Sequence, residues 1–343
     1  MNIEDLSLAV LIPVFIGAAI AVWIAGTRLA RLADVISRRT GIGQAAIGML
    51  LLGATTSLPE IAVAVSATLH GAAILSINDI LGSASINVVI LAVADAAYRR
   101  EALTSRVPTI SLVLQGVVCV IALALVALSA SLGPRQFLGI GWGSWLLVAT
   151  YAAGIRLLTR SRSDASWHAD TGKPDDESSH TGPADERSLR RLSLYIAACA
   201  SVILIAGFLL ARSGEVLAGK TGLGTSFFGA VILGFGTSLP EMSTVLESVK
   251  LRRYTMAIAD IFGTNLFNVT ILVLVDALHR GGPVMVEAGA FAATAALLAL
   301  VLTSIYLAGM LERRDRTLLR MGYDSIAVIL FYLAGLGLLY ELR

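Results

Sequence analysis

Long apolar runs alternate with short polar clusters along almost the whole chain. A helix needs about 20 apolar residues to cross the hydrocarbon of a bilayer, and runs of that kind occur roughly ten times. The first five fall near Leu8–Gly26, Gly41–Leu69, Ala72–Tyr98, Val107–Ser131 and Phe137–Leu158. The second five fall near Leu192–Ala211, Gly222–Val249, Met256–Leu278, Val284–Leu307 and Tyr323–Leu342. The chain begins Met-Asn-Ile-Glu-Asp, without the basic start and small-residue cleavage site of a signal peptide, so the first run reads as a retained span.

The polar clusters differ in charge. Of the 26 Lys and Arg residues, 21 follow odd-numbered runs, beginning with Arg28, Arg31, Arg38 and Arg39 after the first. Only Arg135, Arg212, Lys220, Arg280 and Arg343 lie on the other side. This bias predicts cytoplasmic odd loops and both termini outside. The formal net charge of +2 is then a topology signal and gives no footing for nucleic acid. At 56% hydrophobic and 15% charged, the chain is too apolar for a soluble domain of its length.

One polar pattern occurs inside the runs, twice. Residues 53–60 read Gly-Ala-Thr-Thr-Ser-Leu-Pro-Glu and residues 234–241 read Gly-Phe-Gly-Thr-Ser-Leu-Pro-Glu. The offset of 181 from Glu60 to Glu241 also pairs Thr40 with Thr221, Gly48 with Gly229, Asp79 with Asp260, Gly82 with Gly263, Asn87 with Asn268 and Asp95 with Asp276, without a gap. Such register implies an internal duplication. Five spans per half is an odd number, so the copies enter the membrane in opposite senses. The expected architecture is an all-α integral membrane protein of ten transmembrane helices, built as two inverted five-helix repeats. Residues 1–158 form the first repeat, 159–191 a polar cytoplasmic linker and 192–343 the second repeat. The linker carries Asp175, Asp176 and Glu177 without EF-hand spacing, so it reads as a flexible connection rather than a regulatory ion-binding loop.

An ionised Glu in mid-membrane costs about 2.5–3.5 kcal/mol even on lenient scales, so a buried pair needs compensation. Pro59 and Pro240 lack a backbone donor and crowd the carbonyl one turn earlier, at Thr55 and Gly236. Freed carbonyls, the hydroxyls of Thr56, Ser57, Thr237 and Ser238, and the two carboxylates make an all-oxygen cluster suited to a hard cation. In the following runs Ser83 and Asn87, and likewise Thr264 and Asn268, stand four apart on one helical face, with Asp79 and Asp260 a turn earlier. For Gly82 and Gly263 close helix packing explains the residue equally well. Cys119 and Cys199 read as small packing residues, and His70, His168, His180 and His279 show no metal-ligand spacing.

These paired elements resemble the two α-repeats of the sodium/calcium exchanger family of cation/calcium antiporters. The resemblance implies acidic ligands at Glu60 and Glu241, hydroxyl ligands at Thr56, Ser57, Thr237 and Ser238, and carbonyl ligands near Gly53 and Gly234. It also implies polar positions at Ser83, Asn87, Thr264 and Asn268 on the neighbouring helices. Many relatives carry Asp where Asn268 stands, and Asn or a small residue where Asp79 and Asp260 stand. That symmetric acidic pair is expected to line the approaches to the site, since it lies two helical turns, about 12 Å, from Asn87 and Asn268. The implied activity is exchange of calcium for sodium by alternating access, with sliding or rocking of the first and sixth spans. Proton/calcium exchange, or exchange of another cation at the same carboxylates, is the alternative. No His-Glu-x-x-His or Gly-x-Gly-Asp element suggests an enzyme, and no cofactor or obligate protein partner is expected beyond the bilayer and the transported cations.

Overall fold

The first apolar run stays helical well beyond its hydrocarbon-soluble part. In a computed structural model, which describes residues 7–98, 103–105, 109–160, 188–219, 227, 229–312, 317–318 and 321–342, helix α1 covers Leu8–Thr40. The span predicted to end at Gly26 therefore continues, and Arg28, Arg31, Arg38 and Arg39 lie on a helix rather than in a loop. Past Gly26 the sequence becomes amphipathic. Leu29, Ala30, Leu32 and Ala33 are buried while those arginines are exposed, which suits a helix leaving the membrane along the protein surface. Gly41, at φ 69°, ends it in the left-handed conformation that glycine adopts without strain.

Beyond α1 lie α2 (Gln44–Leu69), α3 (Ala73–Tyr98), α4 (Ile110–Ser131), the strand pair β1 (Gln136–Phe137) and β2 (Ile140–Gly141), and α5 (Trp142–Arg160). The second half comprises α6 (Leu189–Gly219), α7 (229–250), α8 (Tyr254–Leu278), α9 (Val284–Glu312), the strand pair β3 (Thr317–Leu318) and β4 (Met321–Gly322), and α10 (Tyr323–Glu341). Most of the predicted linker, 161–187, lies outside the described residues. Among the described residues eight helices are long and apolar enough to cross a membrane, and α5 and α7 fall short of that measure. Gly143, Ser144 and Arg156 dilute α5, while α7 carries Glu241, Glu247 and Lys250. The chain is an all-helical, multi-pass integral membrane protein.

Element bounds recur at the offset that separates Glu60 from Glu241. Leu58–Leu69 of α2 corresponds to Leu239–Lys250 of α7, Gln136–Phe137 to Thr317–Leu318, and Trp142–Arg160 to Tyr323–Glu341. The correspondence therefore reaches beyond the two spans per half in which the sequence displays it. Burial grades outward from the centre: 78% of the most apolar stretch of α3 and of α8 is buried, against 22% in α1 and 33% in α6. The two central helices end on carboxylates that bind the halves together. Asp95 accepts from the Leu103 amide (2.8 Å), the Gly322 amide (2.8 Å) and the Ser325 hydroxyl (2.8 Å). Asp276 accepts from the Val284 amide (2.9 Å), the Gly141 amide (2.6 Å) and the Ser144 hydroxyl (2.8 Å). Each carboxylate thus satisfies backbone donors where a helix or hairpin begins, groups that would otherwise be stranded away from water.

Candidate functional site

The paired motif breaks two helices in the same way. In α2 a π-helical turn at Ile47–Leu52 leads into Gly53–Thr56, and the helix stops at Ser57 (φ −75°, ψ 0°) before restarting at Leu58. In α7 the sequence of events is Gly229–Leu233, Gly234–Thr237, a stop at Ser238 (φ −84°, ψ 4°) and a restart at Leu239. Proline explains the break, because it removes one helical donor and its ring crowds the preceding turn. Insertions of π-helix are characteristic of functional sites. Sequence reasoning foresaw the break but not the π turns, which have no simple residue signature.

Gly53 and Gly234 serve close approach. A Cβ on Gly53 would stand 2.8 Å from the Thr264 amide nitrogen, and one on Gly234 would stand 2.9 Å from the Ser83 nitrogen. Gly82 and Gly263 lie against backbone of Ala230 and Met49 in the same fashion, so the packing reading accounts for both. Each broken helix therefore crosses the central helix of the opposite half backbone to backbone. Hydroxyls meet at the crossings: Thr56 and Thr264 at 3.3 Å, and Ser83 and Thr237 at 3.0 Å. The carbonyls near Gly53 and Gly234 are occupied locally. Gly53 accepts from the Ser57 amide (3.2 Å) and hydroxyl (2.8 Å), and Gly234 from the Ser238 amide (3.1 Å) and the hydroxyls of Thr237 (3.2 Å) and Ser83 (3.3 Å). Rotation of those hydroxyls would free one lone pair on each carbonyl, with the amide bonds kept.

Glu60 and Glu241 are fully buried, and among the described residues neither carboxylate oxygen of either residue has a hydrogen-bond partner. Both polar atoms of Asn268 and the Ser238 hydroxyl are likewise buried without a partner among the described residues. Such a set of orphaned buried oxygens is what a cation would satisfy, and without one it is costly. Among the described residues no three acidic, histidine or cysteine side chains are grouped so as to hold a metal by themselves. Completing a coordination shell here therefore takes hydroxyl, amide and carbonyl oxygens.

Asp79 and Asp260 are also fully buried. Asp79 accepts from Thr237 (3.2 Å), the hydroxyl that also meets Ser83, so it borders the central set directly. Asp260 accepts instead from Thr244 on α7. Asn87 donates to Asn265 (2.9 Å), which donates in turn to the Ala84 carbonyl (3.0 Å). Sequence reasoning missed Asn265 because its repeat mate is Ala84, so the 181 offset conceals it. It also missed Asn78, fully buried next to Asp79 in the chain, with both amide atoms unpartnered among the described residues. A third omission, Gly26 and Gly207, does stand at the repeat offset. Gly26 on α1 lies against Ser243 and the Pro240 carbonyl, and Gly207 on α6 lies against the Pro59 ring. The outer helices thus touch the broken helices at the proline turns.

The whole of this frame is matched by known proteins. A structure of the sodium-calcium exchanger NCX_Mj, soaked with zero Na+ and Ca2+, superposes with TM-score 0.68 at 15% identity, covering 98% of this chain and 100% of that one. The same exchanger soaked with 2.5 mM Na+ and 0.1 mM Sr2+ gives TM-score 0.67 at 16% identity, covering 96% and 99%. In sequence, the chain is 28% identical over 264 residues to the inner membrane protein YrbG of Escherichia coli (strain K12), covering 75% of this chain and 76% of YrbG. It is 25% identical over 339 residues to CaxA of Alkalimonas amylolytica, covering 93% and 97%. The model of the sodium/calcium exchanger protein family matches residues 10–159 and 192–340, on both sides of the polar linker, and the chain belongs to that family.

Proposed function

We propose that this membrane antiporter exchanges calcium for sodium at a mid-membrane site built on Glu60 and Glu241. The observation that carries the reading is the pair of fully buried carboxylates, repeat mates, with all four oxygens unpartnered by the described residues. Together they hold about −2, which one Ca²⁺ or two Na⁺ neutralises. Competition for one site makes the two loaded states exclusive, and the empty doubly charged site crosses the low-dielectric barrier poorly. Obligatory exchange follows. Thr56, Ser57, Thr237, Ser238, Ser83, Thr264, Asn87, Asn268 and the carbonyls near Gly53 and Gly234 complete the oxygen shell, and Asp79 and Asp260 border it.

Alternating access takes the form of α1 and α6 moving as a pair over the proline turns, touching them through Gly26 and Gly207. The two halves, 1–158 and 192–343, act as inverted five-helix repeats in which α5 and α7 also cross the membrane. Both termini face outward and the 159–191 linker lies in the cytoplasm of a bacterial inner membrane. A cysteine at Ser178 that reacts with an impermeant reagent outside intact cells would overturn that orientation.

The test of exchange is ⁴⁵Ca²⁺ uptake into proteoliposomes under an imposed Na⁺ gradient, with a pH gradient as the comparison. Uptake driven by sodium alone is the expected result, and uptake driven only by protons removes sodium from the mechanism. A second reading, proton/calcium or other cation exchange, is favoured by Asp79 and Asp260. Each is buried with one oxygen unpartnered among the described residues, a setting that a proton can satisfy as well as a metal ion. Under it, Asp79→Asn and Asp260→Asn abolish pH-driven uptake. Under sodium exchange they slow uptake or raise its apparent KM and leave it measurable.

A further inference from the structure

Two helices at the rim, α1 and α6, enclose a groove of their own. α1 and α6 run antiparallel, with Ala18 and Val22 packed near Ala206 and Leu210, and Leu29 and Leu32 near Leu192 and Cys199. Toward the second of these levels they leave a groove of about 590 Å³ between them. Its walls are apolar, formed by residues such as Ile24, Leu32, Cys199 and Val202, and Arg28, Arg31 and Tyr195 also line it. This volume is in the range of sites that hold one small ligand.

The groove has an apolar part and a cationic part. Ile16, Ile20, Trp23 and Ile24 on α1 are exposed, as membrane-facing residues should be, and Arg28 and Arg31 follow within two turns, also exposed. The two arginines are three residues apart, on one face of the helix. Arg31 gives its Nε to Glu247 at 2.6 Å while its side chain remains 56% exposed, which leaves the outer guanidinium edge available. Paired guanidinium groups match the oxygens of a phosphate, and the bilayer lies directly beside the apolar walls.

We propose that this groove binds one anionic phospholipid, with its phosphate on Arg28 and Arg31 and an acyl chain laid between α1 and α6. A free phosphate would gain nothing from the apolar walls, and a zwitterionic lipid brings no net charge to the arginines. The site is independent of which cations the exchanger carries, because none of its residues belongs to the central oxygen set.

The experiment is native mass spectrometry of the detergent-purified protein titrated with phosphatidylglycerol, phosphatidylcholine or glycerol phosphate. The wild type should retain one phosphatidylglycerol at least tenfold more tightly than phosphatidylcholine, and should retain no glycerol phosphate. The Arg28→Gln/Arg31→Gln variant, checked for a monodisperse elution profile, should lose that preference. Ala198 also lines the groove, so Ala198→Trp fills it with both arginines intact and should lose the bound lipid as well. Equal retention of the two lipids by the wild type, an unchanged preference in the arginine variant, or unchanged binding in Ala198→Trp overturns the proposal. Retention of glycerol phosphate as tight as that of the lipid overturns it too, since the groove would then be an anion site with no seat for a chain.

Discussion

The centre and the rim of this molecule have kept their duplication to different degrees. At the centre, equivalent positions do equivalent things. Gly53 meets the Thr264 nitrogen and Gly234 meets the Ser83 nitrogen, and Asp95 and Asp276 each hold one early helix amide, one hairpin amide and one serine. At the rim the halves part. Arg31 on α1 reaches across to Glu247 at 2.6 Å, and buried Asp34 pairs with Arg253 at 2.6 Å. The repeat mate of Arg31 is Arg212, which turns to Glu215 on its own helix at 2.8 Å, and to Ser66, the mate of Glu247, at 3.4 Å. Where backbone meets backbone there is no room for a changed side chain, so the copies stay alike. Where long side chains reach through looser surroundings, each half has changed independently, and an antiporter with two different faces has use for that difference.

If the centre is functionally symmetric, its two glutamates are equally indispensable. Glu60→Gln and Glu241→Gln should each reduce sodium-driven calcium uptake to background while the protein still elutes as a folded species. Uptake near the wild-type level in either variant would break the symmetry and dismiss that residue from the site. The next effect concerns stability. Asp95→Asn and Asp276→Asn each weaken three hydrogen bonds to a buried carboxylate, so each should cost about 2–3 kcal/mol and lower the thermal midpoint by a similar amount. A midpoint shifted in only one variant would mean that the two latches are alike in geometry alone.

Much of the centre could be read from the chain itself. A carboxylate one residue after a proline, inside an apolar run and repeated at a fixed offset, has few physical explanations, and Glu60 and Glu241 both lie fully buried just after a helix break. The helix breaks at Ser57 and Ser238 follow from the same prolines. The rim was far less legible. The amphipathic tail of α1 reads as a loop when only its charges are counted, and Arg28 and Arg31 give no sign in sequence that they border a groove with α6. Asn265 and Asn78 were hidden for a different reason, because a search by repeat offset sees only what both halves have kept. Asp79 reads along its own helix as two turns from Asn87, yet its nearest hydroxyl partner, Thr237, comes from the other half. Contacts between halves are invisible to spacing within one of them.

The outer helices offer a sharper contrast between repeat mates. A methyl group on Gly207 would stand 2.4 Å from Cγ of the Pro59 ring, which cannot turn aside. On Gly26 the closest atom is the Ser243 hydroxyl, which can turn aside by giving up its 2.7 Å bond to the Pro240 carbonyl, itself 3.1 Å away. Gly207→Ala should therefore cost about 1–3 kcal/mol of packing strain, and Gly26→Ala less. If α1 and α6 move over these turns, Gly207→Ala should also slow exchange more than Gly26→Ala does, as read by initial ⁴⁵Ca²⁺ uptake at saturating gradients. Equal rates in the two variants would put the moving contact elsewhere.

The smallest effect tests whether the rim asymmetry matters at all. Arg31 ties α1 to α7 by an ion pair, whereas its mate Arg212 pairs within α6 and reaches α2 only through Ser66, so among the described residues the Arg31–Glu247 ion pair has no counterpart on α6. The Arg31 side chain is 56% exposed, and an exposed ion pair contributes at most about 1 kcal/mol, less in salt. Arg31→Gln should therefore leave the fold intact and change the balance between inward-open and outward-open states by a few-fold. Arg212→Gln should leave that balance where it is. The measurement is the ratio of calcium influx to efflux in oriented vesicles, taken at low and at high ionic strength. High salt should move the wild type toward Arg31→Gln, because screening loosens the same pair. A ratio that shifts equally in both variants, or that ignores salt, would show that the Arg31–Glu247 contact has no part in setting the access equilibrium, and the divergence at the rim would then be neutral.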